Sequence, residues 1–462
     1  MKRYLLSIAC MLCCCVLSAQ NVTVDFSVEK GPIKPLNGVN GGIQESSYAG
    51  STTGYVRQAN IPYFRTHDVQ DIGWHGGPYL VDISWIFNDF DADVNDPASY
   101  DFYFTDQFIE QVYRSNSKIY YRLGQTIEDP NNPHHVFPPK DFKKWAQICE
   151  HIIRHYTEGW ANGFHYDMKY WQIWNEYDAT KPGGCWRGTD EEFHEFYEVA
   201  YRYLKKKFPH LQFGGPALIG RQSTAKVFVE AMAKRNVPLD FLSWHMYFHT
   251  VEAFKNNVRY FRNLLDENGY KDTPSFIDEW NIKPFDLTQS HYMTVLTAST
   301  MCVGQYEPID MMLYYDLRIG SVFNNVFTRK AQPMPAYWAF YSWGRMAKLG
   351  SSVQTISDNP EISVAAATNP NRTSSGILVS RLNVETGIPH LTDPTVRIPR
   401  SINPKEEVTI HIKGVKGEEV RAFMVDENCT YTPYPIKVEE VEDGYTVKMQ
   451  MARMSFAYIE VR

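Results

Sequence analysis

The chain has 462 residues, 44% of them hydrophobic and 15% aromatic, with a formal charge of −7 at neutral pH. That length is too great for one ordinary domain and suits a large barrel with a smaller partner. A mildly acidic balance without basic blocks excludes the electrostatic footprint of a nucleic-acid binder.

The amino terminus reads as an address. Lys2 and Arg3 precede an apolar run from Leu5 to Leu17, and Leu17-Ser18-Ala19 offers a small-residue cleavage site before Gln20. The run is shorter than the ~20 apolar residues of a membrane helix. Residues 1–19 are therefore expected to be a signal peptide, giving an exported protein, periplasmic or extracellular, without a membrane span. Losing Lys2 and Arg3 takes the charge two units further negative. Cys10 and Cys13 to Cys15 keep a lipid-anchored surface protein as the alternative. The cysteines left behind, Cys149, Cys185, Cys302 and Cys429, have no CxxC spacing. They imply neither a zinc site nor a dense disulfide framework, and no metal or cofactor is expected. Cys149 and Cys302 lie in apolar helical contexts and read as buried thiols; pairing of Cys185 or Cys429 stays open.

Residues 20–33 contain a β-like run, Asn21–Val28, expected to cross over and join a C-terminal sheet. Between residues 34 and 349, β-rich runs alternate with amphipathic helical ones. The strands are Leu36–Val39, Tyr63–Thr66, Lys118–Leu123, Lys169–Trp174, Gln212–Gly214, Asp240–Met246, Ser275–Asp278 and Met311–Tyr315. The helices include Thr105–Ser115, Asp141–Tyr156, Asp190–Phe208, Thr224–Arg235, Val251–Gly269 and Ser290–Val303. Eight such alternations predict an α/β fold, a (β/α)8 TIM barrel. A doubly wound sheet is the alternative, but it wants a glycine-rich phosphate turn, for which Val39-Asn40-Gly41-Gly42 is a poor candidate. From residue 350 to 462 the runs shorten and alternate between Gly, Pro, Asn and Asp, as in Glu361–Ala367, Gly376–Arg381, Glu407–Ile412, Glu419–Val425, Tyr445–Met449 and Ser455–Val461. They predict an accessory antiparallel β-sandwich.

Chemistry concentrates at two strand ends. Asn175-Glu176 closes the aromatic-rich fourth strand, and Ser275-Phe276-Ile277-Asp278-Glu279-Trp280-Asn281 repeats the arrangement at the seventh. Side chains at C-terminal strand ends of a barrel converge on one mouth. Glu176 and Glu279 would then face each other at about 5 Å, the separation of a retaining glycosidase. One carboxyl must be protonated to assist the leaving oxygen and the other ionised to attack the anomeric carbon, and proximity separates their pKa values. Glu176 is expected to be the acid/base and Glu279 the nucleophile. The abundant aromatics suit a carbohydrate, whose C–H faces stack on rings.

Trp171-Gln172-Ile173-Trp174-Asn175-Glu176 resembles the strand-four signature of clan A glycoside hydrolases. Phe64-Arg65-Thr66-His67, Arg122-Leu123-Gly124, Trp244-His245-Met246-Tyr247 and Pro335-Ala336-Tyr337-Trp338 narrow the resemblance to glycoside hydrolase family 39, from about Leu36 to Phe340. That family includes β-xylosidases and α-L-iduronidases built as a barrel with a β-sandwich. The resemblance implies that His67, His245 and Asn175 bond sugar hydroxyls, with Asn175 on the 2-hydroxyl, and that Tyr247 donates to Glu279. Trp280 and Tyr315, near the ends of strands seven and eight, complete the expected substrate-binding set.

Two departures stand out. Tyr177 follows Glu176 where the clan usually has proline. After strand eight, Tyr314-Tyr315-Asp316-Leu317-Arg318-Ile319-Gly320 lacks the acidic pair that the xylosidase branch uses for distal hydroxyls. That absence argues against xylose. Arg318 is open between pairing a uronate carboxylate and a structural salt bridge.

His245 and His249 lack the adjacent glutamate of a zinc hydrolase, and no serine sits in a nucleophile elbow. His134-His135 lies in a proline-rich loop read as decoration of the mouth. The expected function is cleavage of terminal glycosidic bonds in an oligo- or polysaccharide by double displacement. The alternatives are a catalytically inactive carbohydrate-binding barrel and an endo-acting glycanase of the same clan. Sugar, anomeric configuration, linkage and oligomeric state are not encoded in any motif.

Overall fold

The computed structural model describes residues 20–462 except 47–49, 68–79, 129–130, 132, 180–183, 384–402 and 416, and the side chains of Ser46 and Asp286. The expected signal peptide lies outside the described residues.

Eight parallel strands close a barrel: Gly38–Asn40, Tyr63–Arg65, Lys118–Leu123, Tyr170–Ile173, Gln212–Leu218, Leu242–Phe248, Ser275–Ile282 and Met311–Tyr314, here barrel strands one to eight in that order. Helices Tyr103–Arg114, Phe142–Glu158, Asp190–Lys207, Gln222–Lys234, Val251–Glu267, His291–Gly304 and Tyr337–Leu349 lie between or after them. Alternation along the strands separates two layers. Tyr120, Phe241, Phe276, Met311 and Leu313 fill the barrel interior, whereas Tyr121, Trp171, Ile277 and Trp280 join the larger core between strands and helices.

A ten-stranded, mostly antiparallel sheet forms the second unit. Gln20–Pro32 runs within it, antiparallel to Ser351–Ser357 and parallel to Lys405–Lys413. Residues from both ends of the strand order, such as Met449 and Met424, share one apolar cluster, so the sheet folds over its own core as a sandwich. The helix His291–Gly304 is buried nearly all round because it lies between barrel and sheet. Ser299 and Ser380 hydroxyls meet at 2.8 Å, and the Cys302 thiol donates to Leu378 O at 3.3 Å. Arg345 pairs with Glu460, and Trp338 stacks on Tyr431 at 4.5 Å between centroids.

Candidate active site

Polar residues crowd one level at the C-terminal ends of the barrel strands. Asn40, Arg65, His67, Gln172, Asn175, His245, Asp278 and Glu279 are all buried there. The turn after strand four places two of them by unusual backbone. Trp174 and Glu176 adopt left-handed φ angles of 70° and 44°, which cost non-glycine residues energy and persist only where their surroundings fix them. Three bonds do so. The Trp174 indole donates to Cys185 O at 2.9 Å, the Glu176 N–H to Ala217 O at 3.0 Å, and Gln172 Nε2 to Trp174 O at 2.5 Å. Gly124 after strand three permits the turn, since a Cβ there would stand 3.0 Å from Trp174 Cα. The outcome is Asn175 buried inward and Glu176 at the mouth, with 16% of its side chain exposed.

Strand seven presents its acids differently. The pairing register with strand six shifts between Ile277 and Glu279. Consecutive residues Asp278 and Glu279 therefore both reach the interior network, where strict alternation would send one outward. Glu279 accepts from Arg65 Nη1 at 3.0 Å and from the Tyr247 hydroxyl. Burial, followed by the repulsion of Glu176, raises its pKa above the ordinary 4.5, while His245, Arg65 and Tyr247 pull the other way.

Arg65 ties the strand ends together. Its guanidinium reaches Gln172 Oε1 at 2.8 Å, Asn40 Oδ1 and Glu279 Oε2 at 3.0 Å each, Asn175 Oδ1, and Asp278 Oδ2 at 3.5 Å. A buried Arg needs such a full set of acceptors, because an unpaired buried charge costs several kcal/mol. Because Asn175 Oδ1 accepts from Arg65, the amide offers its Nδ2 as donor; one of its two N–H groups is directed to Cys185 Sγ at 3.6 Å, which leaves the second for a ligand oxygen.

His245 bridges the two acids. Its Nδ1 is 2.7 Å from Glu176 Oε1, and its Nε2 faces Asp278 Oδ1 at 3.6 Å and Glu279 Oε2 at 3.7 Å. Burial would lower its pKa, but Glu279, Glu176 and Asp278 together raise it above 6.5. One donor atom each of Glu176, His245 and Glu279 falls within 4.8 Å of the others. The same triplet has the composition of a metal site, yet its atoms are engaged with one another: Nδ1 bonds Glu176, and both oxygens of Glu279 already accept from protein donors.

The other sequence candidates divide. His67 is buried and held neutral, its pKa well below 6.5 through burial and the charges of Arg65 and Arg122. Tyr315 lies 6.3 Å from it between ring centroids and takes a bond from Arg318 Nη2 at 3.2 Å. Arg318 is itself paired with Asp316 at 2.6 Å, which favours the structural salt bridge over a free uronate partner. Trp280 is not brought to the mouth with the others: it is fully buried in the layer between barrel and helices, its ring centroid 6.0 Å from that of Phe248 and 5.3 Å from that of Tyr314. Arg65 and Asp278, given no role from sequence, belong to the network. The signal for them was a charged residue on the inward register of a barrel strand end.

Comparison with known proteins places this architecture. The profile for glycosyl hydrolases family 39 matches residues 22–352. A β-xylosidase from Geobacillus stearothermophilus is 27% identical over 203 residues, a match spanning 41% of this chain but only 39% of that relative's length. Among solved structures, a glucosidase from Croceicoccus marinus superposes with a TM-score of 0.76 at 20% identity, covering 96% of this chain and 99% of its own. A monomeric β-xylosidase from Caulobacter crescentus gives 0.68 at 15% identity, covering 96% and 99%. At such identities the structures speak for the fold alone.

Proposed function

Because this chain belongs to glycosyl hydrolase family 39, we propose that it hydrolyses terminal glycosidic bonds of a carbohydrate with retention of configuration, Glu279 as nucleophile and Glu176 as acid/base. The observation that carries this reading is that an oxygen of Glu176 and an oxygen of Glu279 lie within 4.8 Å of each other. So close an approach suits the short carboxyl separation of double displacement better than the wider one of an inverting site.

The steps follow from the settings of the two acids. Glu279, held by Arg65 and Tyr247, attacks the anomeric carbon as a carboxylate. Glu176 gives its proton to the departing oxygen, and the glycosidic C–O bond breaks. Glu176, now a carboxylate, takes a proton from water as that water attacks the anomeric carbon and releases Glu279. Neutral His67 and the Asn175 amide supply hydrogen bonds to hydroxyls of the bound sugar, and those to the 2-hydroxyl strengthen as positive charge develops.

An activated 2-fluoro glycoside of the preferred sugar should label Glu279, located by peptide mass spectrometry. Label on Asp278 or Glu128 would overturn the assignment. The substrate reading rests on strand eight, where Asp316 is bound to Arg318 and no acidic pair follows. In a screen of aryl xylosides, arabinosides, galactosides and glucuronides, xyloside should not rank first in kcat/KM. A wide lead for xyloside would defeat it. We also infer export, and amino-terminal sequencing from the native host should begin at Gln20, not at Met1.

A further inference from the structure

A third carboxylate lies in contact with the proposed catalytic machinery. Asp278 has no exposed surface. Its Oδ2 accepts from the Tyr120 hydroxyl at 3.2 Å and lies 3.5 Å from Arg65 Nε. Its Oδ1 has no hydrogen-bond partner, and neither has His245 Nε2. Those two orphan atoms face each other at 3.6 Å. A buried acceptor and a buried donor left unpaired at that distance are costly, and a shift of about half an ångström would join them at ordinary hydrogen-bond length. In the free enzyme Nε2 stands between two anions, since Glu279 Oε2 is 3.7 Å away.

Glycosylation removes one of those anions. Once Glu279 is an ester it carries no charge, and Asp278 is the carboxylate left to face Nε2. We propose that Asp278 is a positioning residue for the second half-reaction: it takes over His245 when Glu279 is esterified and keeps the imidazolium, bonded through Nδ1, beside an ionised Glu176. The inference rests on the double-displacement reading above. The charges explain the need. In the intermediate, Glu176 and Asp278 are negative and Arg65 and His245 positive, so the buried site is balanced. Without the Asp278 charge, the proton on Nδ1 favours moving to Glu176, because Asp278 lies on the Nε2 side of the ring and stabilises imidazolium more than it opposes the carboxylate. A protonated Glu176 cannot accept the proton of the attacking water. In the first half-reaction the charge of Glu279 still holds His245, so bond cleavage is spared.

The test separates the half-reactions in Asp278→Asn with a dinitrophenyl glycoside, whose leaving group needs no acid. Release should slow by about tenfold or more while kcat/KM stays within about threefold of wild type, so KM falls with kcat and a burst of dinitrophenolate appears. The intermediate trapped by a 2-fluoro glycoside should reactivate more slowly by the same factor. A parallel fall of kcat and kcat/KM, or unchanged release, overturns the inference. In a His245→Gln background, Asp278→Asn should add nothing to the release rate, and an undiminished effect there also counts against it. Should Asp278→Asn not fold, Tyr120→Phe decides by the same split: removing the hydroxyl donor from Asp278 should slow release by a smaller factor, and no slowing is the adverse result. Wild type is labelled first. No label at Glu279 defeats the double-displacement reading, whereas a label with normal release in the variant defeats this inference alone.

Discussion

The ends of barrel strands four and seven each carry a glutamate beside an aspartate, in opposite settings. Glu176 stands at the mouth on left-handed backbone, 16% exposed, with His245 as its side-chain partner. Glu279 is 7% exposed and receives both Arg65 and Tyr247. Those charge-assisted and hydroxyl donors oppose the burial that raises the Glu279 pKa and fix its carboxylate in direction, as a nucleophile requires. Glu176 borders solvent and is hydrogen-bonded to His245, so it is open to a leaving oxygen and to water, as an acid/base requires. The fold brings two acids to two strand ends, and the roles proposed for them rest on their different partners.

The contrast is broken most severely by Glu279→Gln, which keeps the shape and removes the charge. Turnover should fall by several orders of magnitude on every substrate whatever its leaving group, since no covalent intermediate can form. Substantial turnover of a dinitrophenyl glycoside by a verified Glu279→Gln sample would reverse the roles.

Glu176→Ala should lose about 10²–10⁴-fold on alkyl or sugar glycosides, the range of general acid catalysis. Formation of the intermediate from a dinitrophenyl glycoside should survive. Its breakdown should be slow until azide enters the vacated space, and the glycosyl azide should keep the substrate's anomeric configuration after two inversions. The same experiment on Glu279→Ala should give the inverted azide.

How far the two strand ends could be read from sequence follows from the range of the forces involved. The helix Asp190–Phe208 was legible nearly to its ends because local signals fix them: Thr189 caps it and Glu192 closes a capping box. Strand five was expected to stop at Gly214, before Gly215-Pro216, yet it runs to Leu218; its place in a closed barrel overrides the local breakers. Glu176, Glu279, His245 and Tyr247 were legible because motifs announced them, and all four meet. Arg65 and Asp278 join residues about 110 and 160 positions distant, a pairing no local pattern encodes. The layer that Trp280 enters was not legible either, because it depends on the register after the shift at Ile277.

Tyr247→Phe sharpens the comparison by removing one donor from strand seven's acid. A hydrogen bond to a charged group contributes about 1.5–3 kcal/mol, so glycosylation should slow by roughly 10–150-fold. The hydroxyl also acts to lower the Glu279 pKa. Without it that pKa rises, the ionised fraction falls at a given acidic pH, and the acid limb of the kcat/KM profile should move to higher pH. An unshifted limb would mean that Tyr247 orients Glu279 without stabilising its charge.

The smallest effect concerns the aspartates that accompany the two acids. Asp278 is buried against a guanidinium. Asp178, two residues beyond Glu176, is buried and, among the described residues, held by neutral donors: Ile219 N–H donates to it at 3.1 Å and the Thr224 hydroxyl at 2.5 Å. Burial is the main cause that pushes its carboxyl up to about 6, against those hydrogen bonds. The folded pKa is thus above the ordinary 3.8, so the folded state binds the proton more tightly than the unfolded chain. The contribution to stability is present in full below about 3.8 and is lost as pH rises through about 6. Asp178→Asn carries no charge to bury. Its amide oxygen can accept from Ile219, and the Thr224 hydroxyl can reverse to accept from the amide nitrogen. The variant should therefore gain on the order of 1–2 kcal/mol over wild type at pH 8 and little or nothing at pH 4, read from urea midpoints at the two pH values. Lower stability than wild type at pH 8 would show that the two hydrogen bonds to the anion outweigh its desolvation, and strand four would then resemble strand seven in how it holds its second acid.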